Sequence, residues 1–275
     1  MKMKKIGLLM TMLVVVGMVF APQAQAAPGI YVITSALTHA NAGSAPIAAG
    51  DTLIVSTGGS LTIGAAAAAD LIILEKGGIL SNSAVATLTL TDGILVKNSG
   101  TITLTGDAFT LATGTTVTVR DTTTGGEVAI LTLGGAAGSF VAADIVLENR
   151  AKLVTATGTA TIGAGGSIVT AGDSTVIDNA TALVTPVLTI SGADTLTTIG
   201  AGAITGTATT LSDSSTLKVT AAFTLNADIT IAAGDSATID LGAYKLTWAQ
   251  VAADIDLDNA QLTLTGITNG EVESP

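Results

Sequence analysis

Short runs in which an apolar residue alternates with threonine or another small polar residue recur along nearly the whole chain. Clear examples are residues 51–57, 87–93, 101–106, 116–120 and 261–266. An apolar residue at every second position buries one face of a β-strand and leaves the other face in water. Because turn residues close most of these runs and almost no helical pattern occurs, the sequence predicts an all-β fold.

Apolar triplets return at a drifting interval of about twenty residues. Those in the first part of the chain begin at Leu53, Ile72, Ile94, Val117, Ile145 and Ile168, at intervals of 19, 22, 23, 28 and 23 residues. Such spacing is typical of a solenoid, in which each turn stacks on its neighbours to bury its apolar face. A second apolar set between the triplets predicts two or three strands in each turn. We therefore predict a single parallel β-solenoid, with a β-sandwich as the alternative.

One pentapeptide occurs twice, each time before a predicted strand. The copies are Ile47-Ala-Ala-Gly-Asp51 and Ile231-Ala-Ala-Gly-Asp235, and the second continues as Asp240-Leu-Gly-Ala-Tyr-Lys-Leu246. This pattern resembles a coil of the secreted right-handed parallel β-helix proteins, which include pectate-lyase-like enzymes and adhesins. The resemblance spans one or two turns and implies a β-helix fold.

The first 26 residues have the pattern of a secretory signal peptide. Lys2, Lys4 and Lys5 precede an apolar run, and Ala24-Gln-Ala26 matches the small-x-small cleavage site. The run is too short for a permanent membrane anchor, and no later stretch is suited to spanning a membrane. We predict a secreted protein, extracellular or at the cell surface. Its predicted parts are the signal peptide at 1–26, an N-terminal cap or extension at 27–46, the β-solenoid at 47–268 and a solvated tail at 269–275.

The mature chain is acidic and contains no cysteine. The signal peptide holds three of the 10 basic residues and none of the 21 acidic ones, so the mature net charge is 7 − 21 = −14. The remaining basic residues are scattered, which argues against nucleic acid as a partner. Without disulfides, the fold depends on ladder hydrogen bonds and an aliphatic core.

Three alternating aspartates near the C-terminus resemble the start of a calcium-binding loop. They are Asp254, Asp256 and Asp258, but Asn259 stands where the loop needs glycine and Thr265 where it needs glutamate. The same spacing places three carboxylates on the wet face of a strand, which is the alternative interpretation. Calcium is the one cofactor that the sequence suggests.

Two aromatic residues, Tyr244 and Trp248, lie beside a predicted short capping helix at 248–253, with Thr247 as its N-cap. Such a helix would cover the unpaired backbone of the terminal turn. We interpret both aromatic residues as packing near this cap. A glycan-stacking platform is the alternative.

No residue is predicted to be catalytic. The one histidine, His39, falls in a predicted loop without the partners of a triad. Acidic and basic residues adjoin only at Arg120-Asp121 and in the segment from Glu148 to Lys152. If the protein cleaves polysaccharide, Asp121, Glu148 and Arg150 should gather in a groove. Paired surface charges of small energetic value are the alternative.

The preferred function is structural and non-enzymatic. We predict a secreted subunit of an extracellular filament, surface layer or matrix that self-associates through its solenoid ends, because terminal strands carry unpaired edges. One alternative is an adhesin-like module that binds a cell-surface glycan or another surface. The second alternative is a polysaccharide lyase or hydrolase.

Overall fold

The structure is a computed structural model, and the predicted signal peptide lies outside the residues that it describes. Those residues are 28–39, 47–64, 66–82, 86–105, 109–120, 128–136, 138–155, 160–162, 166–171, 174–179, 183–185, 187–191, 195–199, 204–205, 208–219, 223–225, 228–248, 255–257, 259–265 and 271–273.

Within these residues the chain forms 28 strands. The first ten are β1 Ile30–Ile33, β2 Ala36–His39, β3 Thr52–Val55, β4 Ser60–Ile63, β5 Ala67–Leu74, β6 Gly78–Asn82, β7 Ala86–Lys97, β8 Ser99–Thr105, β9 Phe109–Arg120 and β10 Ile130–Ala136. The next ten are β11 Gly138–Glu148, β12 Lys152–Thr155, β13 Ala160–Ile162, β14 Ser167–Ala171, β15 Val176–Asn179, β16 Leu183–Val184, β17 Val187–Ser191, β18 Thr195–Ile199, β19 Ile204–Thr205 and β20 Ala208–Leu211. The last eight are β21 Thr216–Val219, β22 Phe223–Leu225, β23 Asp228–Ile231, β24 Ser236–Asp240, β25 Lys245–Trp248, β26 Ile255–Asp256, β27 Gln261–Thr265 and β28 Glu271–Glu273.

These strands form a parallel β-solenoid. The first sheet follows the path β1-β3-β5-β7-β9-β11-β14-β17-β20-β23-β26, and the second follows β2-β4-β6-β8-β10-β12-β15-β18-β21-β24-β27. Each turn of the chain adds one strand to each sheet, and the pairings along both paths are parallel. The predicted fold is therefore confirmed. A β-sandwich is excluded because its neighbouring strands would be antiparallel.

The predicted triplets form one straight column of the first sheet. The ladder joins Leu53, Ile72, Ile94, Val117, Ile145 and Ile168 in that order. Each of these side chains is at most 1% exposed. The length of a turn varies while the column stays straight, so the additional residues lie outside the paired inward positions. The alternation of the sequence thus places one aliphatic stack inside the solenoid.

A third side appears in the turns that follow the first. The leading halves of β5, β7, β9 and β11 pair with one another, and register shifts within β5 and β11 mark bends toward the first sheet. From β13 onward this side consists of separate short strands, first β13, β16 and β19 and then β22, β25 and β28. These turns therefore have three strands, which agrees with the prediction of two or three.

The two copies of the repeated pentapeptide make the same turn at different corners. In each copy the backbone N–H of the aspartate donates to the carbonyl three residues earlier at 3.0 Å. The preceding glycines, Gly50 and Gly234, have φ of 93° and 84°, which glycine adopts at low cost. Asp51 then leads into β3 of the first sheet, whereas Asp235 leads into β24 of the second sheet.

Both aspartates hold their corner to the preceding turn. Oδ1 of Asp51 accepts a hydrogen bond from the N–H of Gly29 at 3.0 Å, and Oδ2 accepts one from Ala48 at 2.7 Å. Oδ2 of Asp235 accepts one from the N–H of Asp213 at 3.1 Å. The aspartate therefore acts as a clamp between successive turns.

The predicted capping helix is wrong where the structure tests it. Trp248 is the last residue of β25, which pairs with β22 and β28, and no helix occurs in the described part of the chain. The remainder of the predicted helix, residues 249–253, lies outside that part. Ladder hydrogen bonds to two neighbouring strands outweigh the local preference for an N-cap. In keeping with this, no described helix is long and apolar enough to cross a membrane.

The terminal segments also join the solenoid. Strands β1 and β2 lie within the predicted N-terminal cap at 27–46 and pair with β3 and β4. Strand β28 lies within the predicted tail at 269–275 and pairs with β25. His39 ends β2 and is 2% exposed, so it is not a loop residue. Both ring nitrogens are buried without a hydrogen-bond partner.

Candidate functional site

Stacking of turns brings two oppositely charged side chains together on the first sheet. Arg120 ends β9 and Glu148 ends β11, and the ladder pairs them directly. Nη1 of Arg120 lies 3.7 Å from Oε2 of Glu148. The side chains are 44% and 31% exposed, and such a pair contributes about 0–1 kcal/mol to stability. Lys97 pairs with Arg120 on the other side, so the charges continue along the ladder.

An open depression of about 280 Å³ lies beside this ion pair. It is lined by Leu71, Asp92, Ile94, Leu95, Thr118, Arg120 and Glu148. The lining combines aliphatic surface with two carboxylates, a hydroxyl and a guanidinium. Groups of these types can contact an apolar face and hydrogen-bond the hydroxyls of a polar ligand.

The depression does not place its two carboxylates at the spacing used for glycoside hydrolysis. Asp92 on β7 and Glu148 on β11 are two ladder steps apart, and Asp92 precedes the residue paired toward Glu148 by five positions. With about 4.8 Å between strands and about 3.3 Å along each residue, their backbones are roughly 19 Å apart. Glycosidase carboxyl groups lie about 5–9.5 Å apart. These two side chains are better suited to binding than to acting as a catalytic pair.

The groove predicted for a polysaccharide-cleaving enzyme is only partly reproduced. Glu148 lines the depression, but Arg150 does not belong to the lining. Arg150 is exposed in a tight turn with φ of 62°, where the N–H of Ala151 donates to the carbonyl of Glu148 at 3.2 Å. Asp121 lies outside the described residues. Arg120 was not predicted as a site residue, although the 28-residue interval between two triplets contained the signal that aligns it with Glu148.

The predicted glycan contacts lie near the C-terminal turns. Tyr244 is 43% exposed, and its N–H donates to the carbonyl of Leu241 at 2.8 Å in a tight turn. Trp248 pairs with Leu225 in the third-side ladder. The exposure of Tyr244 is compatible with a glycan contact, which stays a prediction.

The predicted calcium ligands are described only in part. Asp256 lies in β26 and pairs with Thr230, while Asp254 and Asp258 are outside the described residues. Over the described ranges no group of three or more acidic or histidine side chains is placed to hold a metal ion. Calcium binding by this aspartate series stays a prediction.

The C-terminal end of the solenoid leaves core columns uncovered. Leu217, Ile239 and Leu264 follow one another in the second sheet. The first two are 0% exposed, whereas Leu264 on the last described strand of this sheet is 36% exposed. Leu257, directly after β26, is 45% exposed. The same inward position is buried inside the solenoid and open at its end, because no further strand of this sheet is described beyond β27.

The N-terminal end also presents apolar side chains beside an open ladder edge. Ile30 and Val32 on β1 are 73% and 61% exposed. Among the described strands β1 pairs with β3 and β2 pairs with β4, so one edge of each strand is unpaired there. An exposed strand edge with apolar side chains is a template for pairing with another chain. The sequence assigned these residues to a cap and therefore did not predict that they form this edge.

Comparisons with known proteins assign no family to the chain. No family model, curated protein or solved structure matches it.

Proposed function

We propose that this protein is a secreted structural subunit of an extracellular filament, surface layer or matrix, and that it assembles through the ends of its solenoid. The observation that supports this proposal most is the core column that is 0% exposed at Ile239 and 36% exposed at Leu264. Stacking another solenoid on that end would bury the apolar surface and pair the open backbone edge.

The shape of the ends also favours a structural role. Each internal turn already stacks on its neighbour through parallel strands in both sheets. A second copy offers an end with the same two-sheet arrangement, so stacking between copies repeats the contact that holds the molecule together. Contacts between unlike ends do not close into a ring unless the rotation permits it, and they therefore generate filaments.

Negative-stain electron microscopy of residues 27–275 over a concentration series tests this proposal. Filaments or sheets should form, and their number should rise with concentration. Single short rods at every concentration would contradict assembly. Val32→Lys should reduce assembly because a charged side chain on an edge strand opposes pairing. Val169→Lys is the matched control, since Val169 lies in the same outward column but inside the solenoid; its assembly should equal that of the unmodified protein.

Secretion is part of the proposal and has its own test. Expression of the full chain in a bacterium, followed by N-terminal sequencing of the exported product, should show a mature protein that begins at Ala27. An unprocessed product retained in the cytoplasm would contradict export.

The depression at Arg120 and Glu148 supports the second candidate function, an adhesin-like module that binds a glycan or another surface. A glycan array would detect such binding, and Arg120→Ala should abolish it while Tyr244→Ala distinguishes the predicted aromatic contact. A polysaccharide lyase or hydrolase is the remaining alternative. Release of reducing ends from acidic polysaccharides, lost in Glu148→Gln, would establish it.

A further inference from the structure

The two ends of the solenoid differ in charge. Residues 228–275 hold eight acidic residues and one basic residue, a net charge of 1 − 8 = −7. Residues 27–69 hold one acidic residue, Asp51, whose carboxylate is buried and hydrogen-bonded. Contact between two C-terminal ends would bring two strongly acidic regions together, which is unfavourable. Contact between a C-terminal end and an N-terminal end avoids most of that repulsion.

The apolar surface favours the same polarity. Leu257 and Leu264 are exposed at the C-terminal end, and Ile30 and Val32 are exposed at the N-terminal end. Two N-terminal ends related by a two-fold axis would pair antiparallel and would leave the C-terminal core columns uncovered. Stacking unlike ends keeps the pairing parallel, as along both sheet paths, and covers both sets of side chains.

The first sheet also specifies a register. Its inward column begins at Tyr31, continues through Leu53 and the apolar triplets, and reaches Ile255 through Ile229. The column stays straight across the whole path, so the next strand in line would place its own Tyr31 beside Ile255. The neighbouring outward column then sets Val32 of that strand opposite Asp256.

We propose that copies of this chain stack head to tail, with β26 of one copy pairing in parallel with β1 of the next, Ile255 beside Tyr31 and Asp256 beside Val32. This inference rests on the proposed function and adds its polarity and register. Strand β27 then lies beside β2 of the next copy, where Leu264 is covered by the second sheet. The result is a polar filament in which the ladder of the first sheet runs without interruption through every subunit.

Disulfide cross-linking tests the register directly, because the protein has no cysteine of its own. The double variant carries Val32→Cys and Asp256→Cys. Residues paired across neighbouring strands are about 4.8 Å apart, and a disulfide needs Cα atoms about 4.4–6.8 Å apart. Within one chain, ten ladder steps separate β1 from β26, a distance of about 48 Å. Any bond formed by this variant must therefore join two copies.

Three controls accompany the double variant. Val32→Cys alone reports head-to-head contact, and Asp256→Cys alone reports tail-to-tail contact. Thr34→Cys combined with Asp256→Cys shifts the register by two residues, which separates the Cα atoms by about 8 Å and prevents bridging. After mild oxidation, the expected result on a non-reducing gel is a series of covalent dimers, trimers and longer multimers from the double variant, and none from the controls.

Each contrary outcome has a distinct meaning. Filaments in the microscope without a covalent series from the double variant would overturn the register and leave the structural function standing. Covalent dimers from either single variant would overturn the head-to-tail polarity. Neither filaments nor cross-links at any concentration would overturn the proposed function, and the inference with it.

Discussion

Alanine substitution at two adjacent corner glycines is expected to have very different costs. Gly77 has φ of 76°, and a Cβ added there would meet nothing within 4 Å. Gly78 is buried, and a Cβ added there would overlap the carbonyl oxygen of Val55 on the preceding turn and lie 3.1 Å from the carbonyl oxygen of Glu75. The first glycine is needed for its backbone conformation, and the second is needed because two turns approach each other closely.

The magnitudes follow from these surroundings. Gly77→Ala retains all contacts and incurs only the left-handed conformation, about 1–2 kcal/mol for a non-glycine residue. Gly78→Ala must separate the turns, and the carbonyl of Val55 also accepts the N–H of Glu75 at 3.0 Å. Loss of that bond, with buried groups left unpaired and packing disturbed, gives about 3–5 kcal/mol. The second substitution should therefore be at least about twice as destabilising as the first.

Urea unfolding followed by far-UV circular dichroism measures both changes, and amide exchange at Glu75 separates local opening of the corner from global unfolding. The pair Gly58 and Gly59 repeats the design one turn earlier. A Cβ at Gly58 would meet only the carbonyl of Thr34 at 3.8 Å, whereas one at Gly59 would overlap the carbonyl of Ile33. Equal costs within a pair, or a larger cost at the first glycine, would refute the reasoning.

Four other changes have defined expectations. Asp51→Ala removes a carboxylate that is 2% exposed and accepts two backbone N–H bonds, so the free energy of unfolding should fall by about 3 kcal/mol in urea titration; a fall below about 1 kcal/mol would contradict the clamp. Leu147→Ala opens a cavity at a 0% exposed site and should cost about 2–5 kcal/mol by the same method, whereas an unchanged midpoint would mean a loosely packed interior. Lys152→Ala breaks a 2.7 Å ion pair with Asp178 whose side chains are 26% and 29% exposed, so stability should change by less than about 1 kcal/mol and the difference should shrink in high salt. If calcium binds the aspartate series, it should raise the melting temperature in scanning fluorimetry, an effect that EDTA reverses and Asp256→Asn weakens; an unchanged melting temperature of the unmodified protein in calcium would refute that prediction.

The candidate binding surfaces show where sequence reasoning stopped. The adjacency of Arg120 and Glu148 depends on a turn of 28 residues, and only the ladder shows which residues within that turn are paired. The open edge at Ile30 and Val32 was hidden by the expectation of a cap, although both residues alternate as strand residues do. His39 lies at the end of a strand for the same reason. In each case the local pattern was present and its neighbour in space was not.

The chain by itself determined the all-β class and the inward column from Leu53 to Ile168, because one aliphatic residue in each turn has to face the interior and alternation marks it. It also marked the glycine corners. Only the tertiary structure decided that the two I-A-A-G-D copies occupy different corners, that Lys245–Trp248 is a strand and not the start of a helix, and which charges become neighbours. The physical reason is that spatial neighbours in a solenoid are one turn apart in sequence. The length of that turn is set by corners of variable size, so lateral pairing follows from packing across turns and not from any local segment.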